Sequence, residues 1–450
     1  MQLDFSTTQA VRDLLAIIQR TEDIRFSPDY RRLVLASITR DQIFVFDIEI
    51  LHTDSGKQIH LSSGAFLVSR HLQYPHGLDF LDNETLAVAN RDGDLCLFHL
   101  PTDIRNGDEL PLIQRFSTEE WAMQGPGSVV ASRLRPNHYE LLVCRTVGHQ
   151  VSRHLLDAAQ NYTITEEHKL VDKWLETPDG ISISRDRRWL AVSSHNTQSG
   201  LLYANDHSLN TKADPAAVLR GAAYPHGLRI SDDGRYVLMT DAGAPYVHVY
   251  AQADGNWQGI YDPCISLQVM DDERFRHGSD GNPQEGGPKG LDIQPVHGIL
   301  VTTCAAQPLA FFDLVALLDK AYSNGPVPVA ASTATALEVQ LELERQERVA
   351  QTFINAIFRE RQAAQAHQIA VIAEERVAEH AARADATQIQ LWHAQDQLAN
   401  TQGHLADTQA QLADIQAQLA YAQERLRSTL SSRSWRITAP LRWLKRNKQD

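Results

Sequence analysis

The sequence predicts an all-β six-bladed β-propeller followed by a long α-helical coiled coil. Three observations carry this. Tyr74-Pro-His-Gly-Leu-Asp-Phe returns as Tyr224-Pro-His-Gly-Leu-Arg-Ile, with looser copies at Thr177-Pro-Asp-Gly-Ile-Ser-Ile and Gly287-Pro-Lys-Gly-Leu-Asp-Ile. Aligned on the residue before the repeat glycine, Glu22, His76, Gly127, Asp179, His226 and Lys289 are 54, 51, 52, 47 and 63 residues apart. Six units of this length, each with three or four short alternating runs, are the pattern of propeller blades. The third observation is a change of composition: from Leu337 to Leu430 the chain has no proline and only Gly403, and is dominated by Ala, Gln, Glu, Leu and Arg.

The first blade begins at Asp23-Ile-Arg-Phe-Ser-Pro-Asp and continues through Arg32-Leu-Val-Leu-Ala-Ser and Gln42-Ile-Phe-Val-Phe-Asp. The second uses Thr85-Leu-Ala-Val-Ala-Asn and Leu95-Cys-Leu-Phe. The third is the most diverged. The fourth reads Asp179-Gly-Ile-Ser-Ile-Ser and Arg188-Trp-Leu-Ala-Val-Ser, and the fifth Tyr236-Val-Leu-Met-Thr-Asp and Tyr246-Val-His-Val-Tyr. The last unit supplies only three strands. Leu14-Leu-Ala-Ile-Ile-Gln is expected to provide the fourth, a strand over about residues 14–19, because closure from both chain ends leaves no open sheet edge. The predicted organisation is a propeller over 1–322, a linker over 323–336 with Asn-Gly and two prolines, a coiled coil over 337–430 and a basic tail over 431–450.

The formal net charge of -14 argues against a general nucleic-acid binder, which needs clustered cations. Cys96, Cys144, Cys264 and Cys304 have no CxxC spacing and read as reduced thiols, so a reducing compartment is expected. Met1–Ala10 lacks the basic and apolar regions of a signal peptide, and no apolar run approaches the ~20 residues of a membrane span.

The residue between Pro and Gly in each copy is expected to face the channel mouth. Pro and Gly themselves read as the architectural turn into each inner strand. Glu22, His76, Asp179 and His226 are candidate ligands for a divalent metal ion, since neutral imidazole and carboxylate are ordinary donors. Lys289 completes the ring. Loops after the second strands bring Asn90, Arg91, Arg145, His195, Asn196 and Asp241 toward the same face, where they could hydrogen-bond a polar or sugar-like ligand. The long sixth interval, with Phe275-Arg-His-Gly-Ser-Asp-Gly-Asn-Pro-Gln-Glu-Gly-Gly, is a candidate cover for that mouth. No Ser/His/Asp or Cys/His nucleophile constellation and no phosphate-binding glycine loop is recognisable by spacing.

On these residues the domain resembles the gluconolactonase/senescence-marker family and, more loosely, NHL-type propellers. The resemblance implies a divalent ion held by a Glu, an Asn and an Asp of the repeat. Glu22 and Asp179 match in type and repeat position. The Asn has no counterpart: His76 and His226 stand in such copies, and Gly127 occupies the blade before Asp179.

Leu391, Leu398, Leu405, Leu412, Leu419 and Leu426 recur every seven residues, with Ala394, Thr401, Thr408, Ile415, Ala422 and Thr429 three positions behind. This is a heptad seam, and self-association as a dimer or trimer is expected. The last twenty residues carry six Lys/Arg against one Asp. Trp435, Leu441 and Trp443 interleave with Arg436, Arg442, Lys445 and Arg446, a composition suited to an anionic membrane surface. Ser-Arg-Ser-Trp-Arg-Ile-Thr-Ala-Pro-Leu-Arg-Trp in this tail resembles a terminal motif of bacterial surface-polysaccharide proteins, among them glycosyltransferases and O-antigen or capsule enzymes. That resemblance implies such proteins as partners.

The leading functional expectation is therefore a scaffold or ligand-sensing protein of bacterial polysaccharide assembly, cytoplasmic and peripheral on the inner face of the inner membrane. One alternative is a metal-dependent lactonase-like or sugar-acid hydrolase working in the channel. The other is a propeller that binds proteins through its rim alone.

Overall fold

The computed structural model describes residues 1–53, 56–116, 125–279, 284–323 and 336–432. Six antiparallel sheets form the blades of a β-propeller over the region the repeat marked. The inner strands are Thr21–Phe26, Pro75–Asp82, Pro126–Arg135, Pro178–Ile183, Pro225–Ile230 and Leu291–Gln294. Each pairs with the next strand in sequence, so every blade is an outward-running meander. Hydrophobic clusters fill the spaces between neighbouring blades. Ile43, Val45, Leu78, Val88 and Phe98, for example, lock the first blade to the second.

The inner strands share a local irregularity. In five blades the pairing register shifts where the ring residue stands: between Thr21 and Asp23, Pro75 and Gly77, Pro126 and Ser128, Pro178 and Ile181, and Pro225 and Leu228. The ring residue is thus unpaired at a β-bulge, alone in the first three blades and together with its glycine in the fourth and fifth, a device that re-aims a side chain. The adjacent glycine is required by crowding rather than by a positive φ. A Cβ on Gly77 would meet the Ser128 Cα at 2.4 Å, and one on Gly290 would meet the Asp23 Cα at 2.6 Å. The positive-φ residues of the turn come earlier, at Tyr74 (φ 58) and Thr177 (φ 59).

Closure uses the N-terminus, but with different residues from those expected. Gln2–Leu3 pairs with Ala310–Asp313 and completes the sixth blade, and Phe5–Thr7 pairs in parallel with the outer strand of the first. Residues 14–19 are not a strand. Helix α1 spans Gln9–Ile17, capped by Thr8, whose hydroxyl accepts from the Val11 N–H. Val11, Leu14 and Ile18 pack with Phe44 and Phe46. Their spacing of three and four is helical, and the apolar run Leu14-Leu-Ala-Ile-Ile concealed it.

Helix α2 (Asp272–Gly278) lies in the long sixth interval, and helix α3 (Leu314–Ser323) follows the last propeller strand. Helix α4 runs from Ala336 to Ser431. The chain divides into two units, Met1–Ile357 and Phe358–Asp450. Within the first, Val339 and Leu343 at the start of α4 pack into the core cluster of Leu201 and Tyr203. Within the second, the heptad leucines are exposed, Leu405 by 58% and Leu419 by 57%. The long helix is present as expected, while its pairing with another helix is not a property of one chain. Most of the linker lies outside the described residues. So does nearly all of the tail, including Trp435, Arg436, Leu441, Arg442, Trp443, Lys445 and Arg446. No described helix is long and apolar enough to cross a membrane.

Substituting Gly290 by Ala tests the crowding around the axis. Backbone rather than a movable side chain meets the new methyl group, so a loss of about 1–3 kcal/mol is expected. Urea unfolding should show a lower midpoint with an unchanged slope; wild-type stability would contradict the crowding.

Candidate metal centre at the channel mouth

Glu22, His76, Asp179 and His226, at four of the bulges, and Lys289, just before the sixth inner strand, come together, all nearly fully buried. Gly127, the ring member without a side chain, contributes its carbonyl, which accepts from His76 Nδ1 at 2.6 Å. A carbonyl only accepts, so Nδ1 carries the proton and Nε2 keeps its lone pair. Burial and the neighbouring Arg91 guanidinium lower the His76 pKa to about 3, holding it neutral. Its Nε2 lies 3.4 Å from Glu22 Oε2.

His226 sits between two carboxylates, with Nε2 3.3 Å from Glu22 Oε2 and Nδ1 3.0 Å from Asp179 Oδ2. Burial disfavours its imidazolium, but Asp179 and Glu22 outweigh that and push the pKa up to about 9. Burial likewise opposes charge on the two carboxylates, yet both stay ionised. Lys289, His226 and Arg20 hold Glu22 well below the ordinary range. His226, with a hydrogen bond from His195, does the same for Asp179.

Arg20 binds Glu22 through Nε at 2.5 Å, and its other arm reaches Glu285. Lys289 Nζ is 3.0 Å from both Glu22 oxygens and also contacts Glu285. Arg91 Nη2 donates to Asp179 Oδ1 at 2.6 Å and to His76 Nε2 at 2.7 Å. His195 places Nε2 3.5 Å from Asp179 Oδ1 and stacks on Tyr224 with ring centroids 4.2 Å apart. Its Nδ1 and the Arg91 Nε have no hydrogen-bond partner. Three carboxylates (Glu22, Asp179, Glu285) thus face three permanent cations (Arg20, Arg91, Lys289), and His226 adds one positive charge below pH ~9.

Several expected site residues lie outside this cluster. Asn90 caps a turn, accepting from the Gln73 N–H and donating to the Asp94 carbonyl. Asp241 accepts from the N–H groups of Ala223 and Tyr224. Asn196 donates to Thr177 Oγ1. Short polar side chains after a strand are favoured for such turn-closing bonds. Asn90, Asn196 and Asp241 therefore act in loop structure. Arg145 is buried. The sixth interval does contribute to the mouth, through Glu285.

A second ring below the first was missed. It consists of Arg25, Asp79, Ser182, Arg229 and Asp292, each three positions after a ring residue, with Val130 at the sixth place. Asp79 accepts from the Ala131 N–H of the next blade at 2.8 Å, and Asp292 accepts from Phe26 at 2.9 Å. Arg229 pairs with Asp292 at 3.0 Å. Burial pushes Asp79 up to about 7, and Asp23 and Asp292 up to about 6, against the pull of Arg25. The repeat text did hold the signal, because the Asp and Arg of Gly-Leu-Asp and Gly-Leu-Arg occupy these places. Between the rings lies a cavity of only ≈ 10 Å³, about the room needed for one water.

The first ring fits a metal ion. Two imidazole Nε2 atoms face one carboxylate oxygen at 3.3–3.4 Å. Donors about 2.1 Å from a tetrahedral ion are separated by roughly that distance. Each potential ligand is also held from behind: His76 by the Gly127 carbonyl, His226 by Asp179, and Glu22 by Arg20 and Lys289. Such outer partners are what orient metal ligands. Bound there, an ion would replace the His226 Nε2 proton and take the Arg91 contact away from His76.

No family model and no curated protein sequence matches the chain. Solved structures resemble it over about two thirds of its length. A luciferin-regenerating enzyme is 9% identical, with 65% of this chain and 90% of that one covered and a TM-score of 0.44. A putative gluconolactonase is 15% identical, with coverage of 66% and 89% and a TM-score of 0.43. A calcium-binding protein, regucalcin, from Agrobacterium tumefaciens is 16% identical, with coverage of 65% and 89% and a TM-score of 0.40.

The raised His226 pKa gives a stability test. The metal-free folded chain binds the proton more tightly than the unfolded chain, whose pKa is the ordinary 6.5. The stabilisation is complete below pH ~6.5 and fades as pH rises through about 9. The stability gap between wild type and His226→Asn, measured by urea unfolding in chelator, should narrow between pH 7 and 10. A gap that stays constant would refute the shared imidazolium.

Proposed function

We propose that the channel mouth is a mononuclear metal site of the two-His, one-carboxylate kind, formed by His76, His226 and Glu22. We further propose that the protein is a metal-dependent hydrolase of polar, acid-bearing esters or lactones. The observation that carries this reading is the convergence of both Nε2 atoms on Glu22 Oε2, with both Nδ1 atoms already engaged. Ordinary buried histidines need no such common focus.

The donor set is rich in nitrogen. Imidazole suits zinc and iron, whereas calcium and magnesium favour all-oxygen sites. A divalent ion held there would supply Lewis acidity toward a carbonyl oxygen and a water acidified toward neutrality. The chain's own residues supply the rest. Arg20 and Arg91 are the most exposed members of the cluster, their side chains 33% and 29% accessible, so a ligand entering from solvent meets guanidinium groups first. That favours a substrate bearing a carboxylate. His195, oriented by Asp179 and carrying an unmatched Nδ1, can accept or return a proton at the mouth. Tyr224 shields one face of its ring.

The discriminating experiment is metal analysis of protein dialysed against zinc, followed by assays on carboxylated lactones and esters. About one ion per chain and metal-dependent turnover are expected, both lost in His76→Ala/His226→Ala. Absence of stoichiometric metal would overturn the reading.

Two further outcomes follow from the same geometry. Binding must expel the His226 proton, so apparent affinity should rise about tenfold per pH unit below pH ~9; a flat profile in competition titrations would exclude His226 as ligand. Asp179→Asn should weaken metal binding by about 10–100-fold, as loss of an outer partner does. Unchanged affinity would remove Asp179 from that role.

A further inference from the structure

The second unit points to an occupant for its own exposed seam. Leu391, Leu398, Leu405, Leu412, Leu419 and Leu426 lie along α4, and among these Leu398 to Leu426 are each exposed by 55–59%. Their repeat is seven residues over six heptads. A straight helix has 3.6 residues per turn, so a strict seven-residue stripe drifts by about 20° per heptad, or roughly 100° along this stretch. A stripe that drifts this way suits neither a flat surface nor a straight groove. It stays in contact only with another helix of the same repeat, supercoiled left-handedly.

The neighbouring columns indicate which helix. With the leucines at position a, the small row Ala394, Thr401, Thr408, Ile415, Ala422 and Thr429 falls at d. Position e is then glutamine in the first five heptads, Gln395, Gln402, Gln409, Gln416 and Gln423, and Leu430 in the sixth. Position g is Gln390, Gln397, His404, Gln411, Gln418 and Arg425. The opposite assignment, with leucine at d, would place the glutamine column in the seam. The acids Asp396, Asp407, Asp414 and Glu424 all fall on the outer positions c and f. Charges at e and g ordinarily select or repel partners. Here they are almost absent, so nothing opposes an identical chain, and amides can pair with amides. In-register parallel pairing also sets Ile415, the one large apolar residue of the small row, against its own copy.

We infer that residues 388–430 of α4 bind a second copy of this chain as a parallel, in-register coiled coil, with leucine at a and small residues at d. The inference is independent of the metal site.

Sedimentation of the full chain tests it. At ~10 µM, wild type should sediment as a multiple of 50.4 kDa, and Leu405→Asp/Leu412→Asp as a single chain with the propeller's thermal transition unchanged. The variant should weaken association by more than ~100-fold. A wild type that stays single at ~100 µM, or a variant that stays associated, overturns the inference. Leu405→Cys in the full chain separates the orientations: mild oxidation should link two copies through residue 405 in the parallel form, and failure to link in an associated sample would exclude in-register pairing.

Discussion

Crowding around the propeller axis governs the rest of the structure. Inner strands of adjacent blades approach so closely that the Gly180 and Gly227 positions admit no Cβ: one would lie 2.2 Å from the His226 carbonyl oxygen, the other 2.6 Å from that of Lys289. The strand responds with a bulge at that place, which in these two blades takes in the glycine itself. Once out of the ladder, the bulged residue has nowhere to point but the axis. A purely steric requirement, repeated round the circle, therefore collects polar side chains in one place. Whether they are useful depends on the one residue that the crowding leaves free to vary.

Charges gathered in this way are costly unless each is matched. The first ring meets that requirement with alternating partners, Glu22 against Lys289 and Arg20, Asp179 against Arg91 and His226. The second ring does so less completely, and its carboxylates shift upward as a result. Its role is architectural. Its Asp79 and Asp292, and Asp23 beside them, each accept a backbone N–H from the following blade, stitching blades together where the strands are closest. The two rings divide the labour: the lower joins blades, and the upper holds donors whose remaining valences face one another.

Blade number, strand order and the identities of Glu22, His76, Asp179, His226 and Lys289 were legible because one steric motif, Pro-X-Gly, repeats at blade spacing. Arg91 and His195 were legible as loop residues following second strands. Asn90 and Asp241 share that position and make turn-closing bonds there, because the same residue types that bind ligands also close turns. Arg20 and Glu285 were not legible. Neither belongs to the repeat, and only the fold brings residue 285 beside residue 20. The closing strand was misplaced for a related reason. Leu14-Leu-Ala-Ile-Ile is apolar enough for either state, and the choice rests on the Thr8 cap and on which faces the neighbouring blade offers. A two-residue strand such as Gln2–Leu3 has no periodicity to detect at all.

Histidines stand at two of the ring positions, His76 and His226, and imidazole has two properties that matter there. It can be protonated, so occupancy becomes coupled to pH, and it has a second nitrogen that needs a partner. Here those partners are a glycine carbonyl and Asp179. Gly127, the blade that lost its ring side chain, supplies the carbonyl that fixes the His76 tautomer. Asp179, a ring residue itself, turns from the centre toward His226. Without both, the two Nε2 atoms would not meet at Glu22. The missing side chain at Gly127 and the turned carboxylate of Asp179 are therefore parts of one arrangement, which orients the two imidazoles toward Glu22.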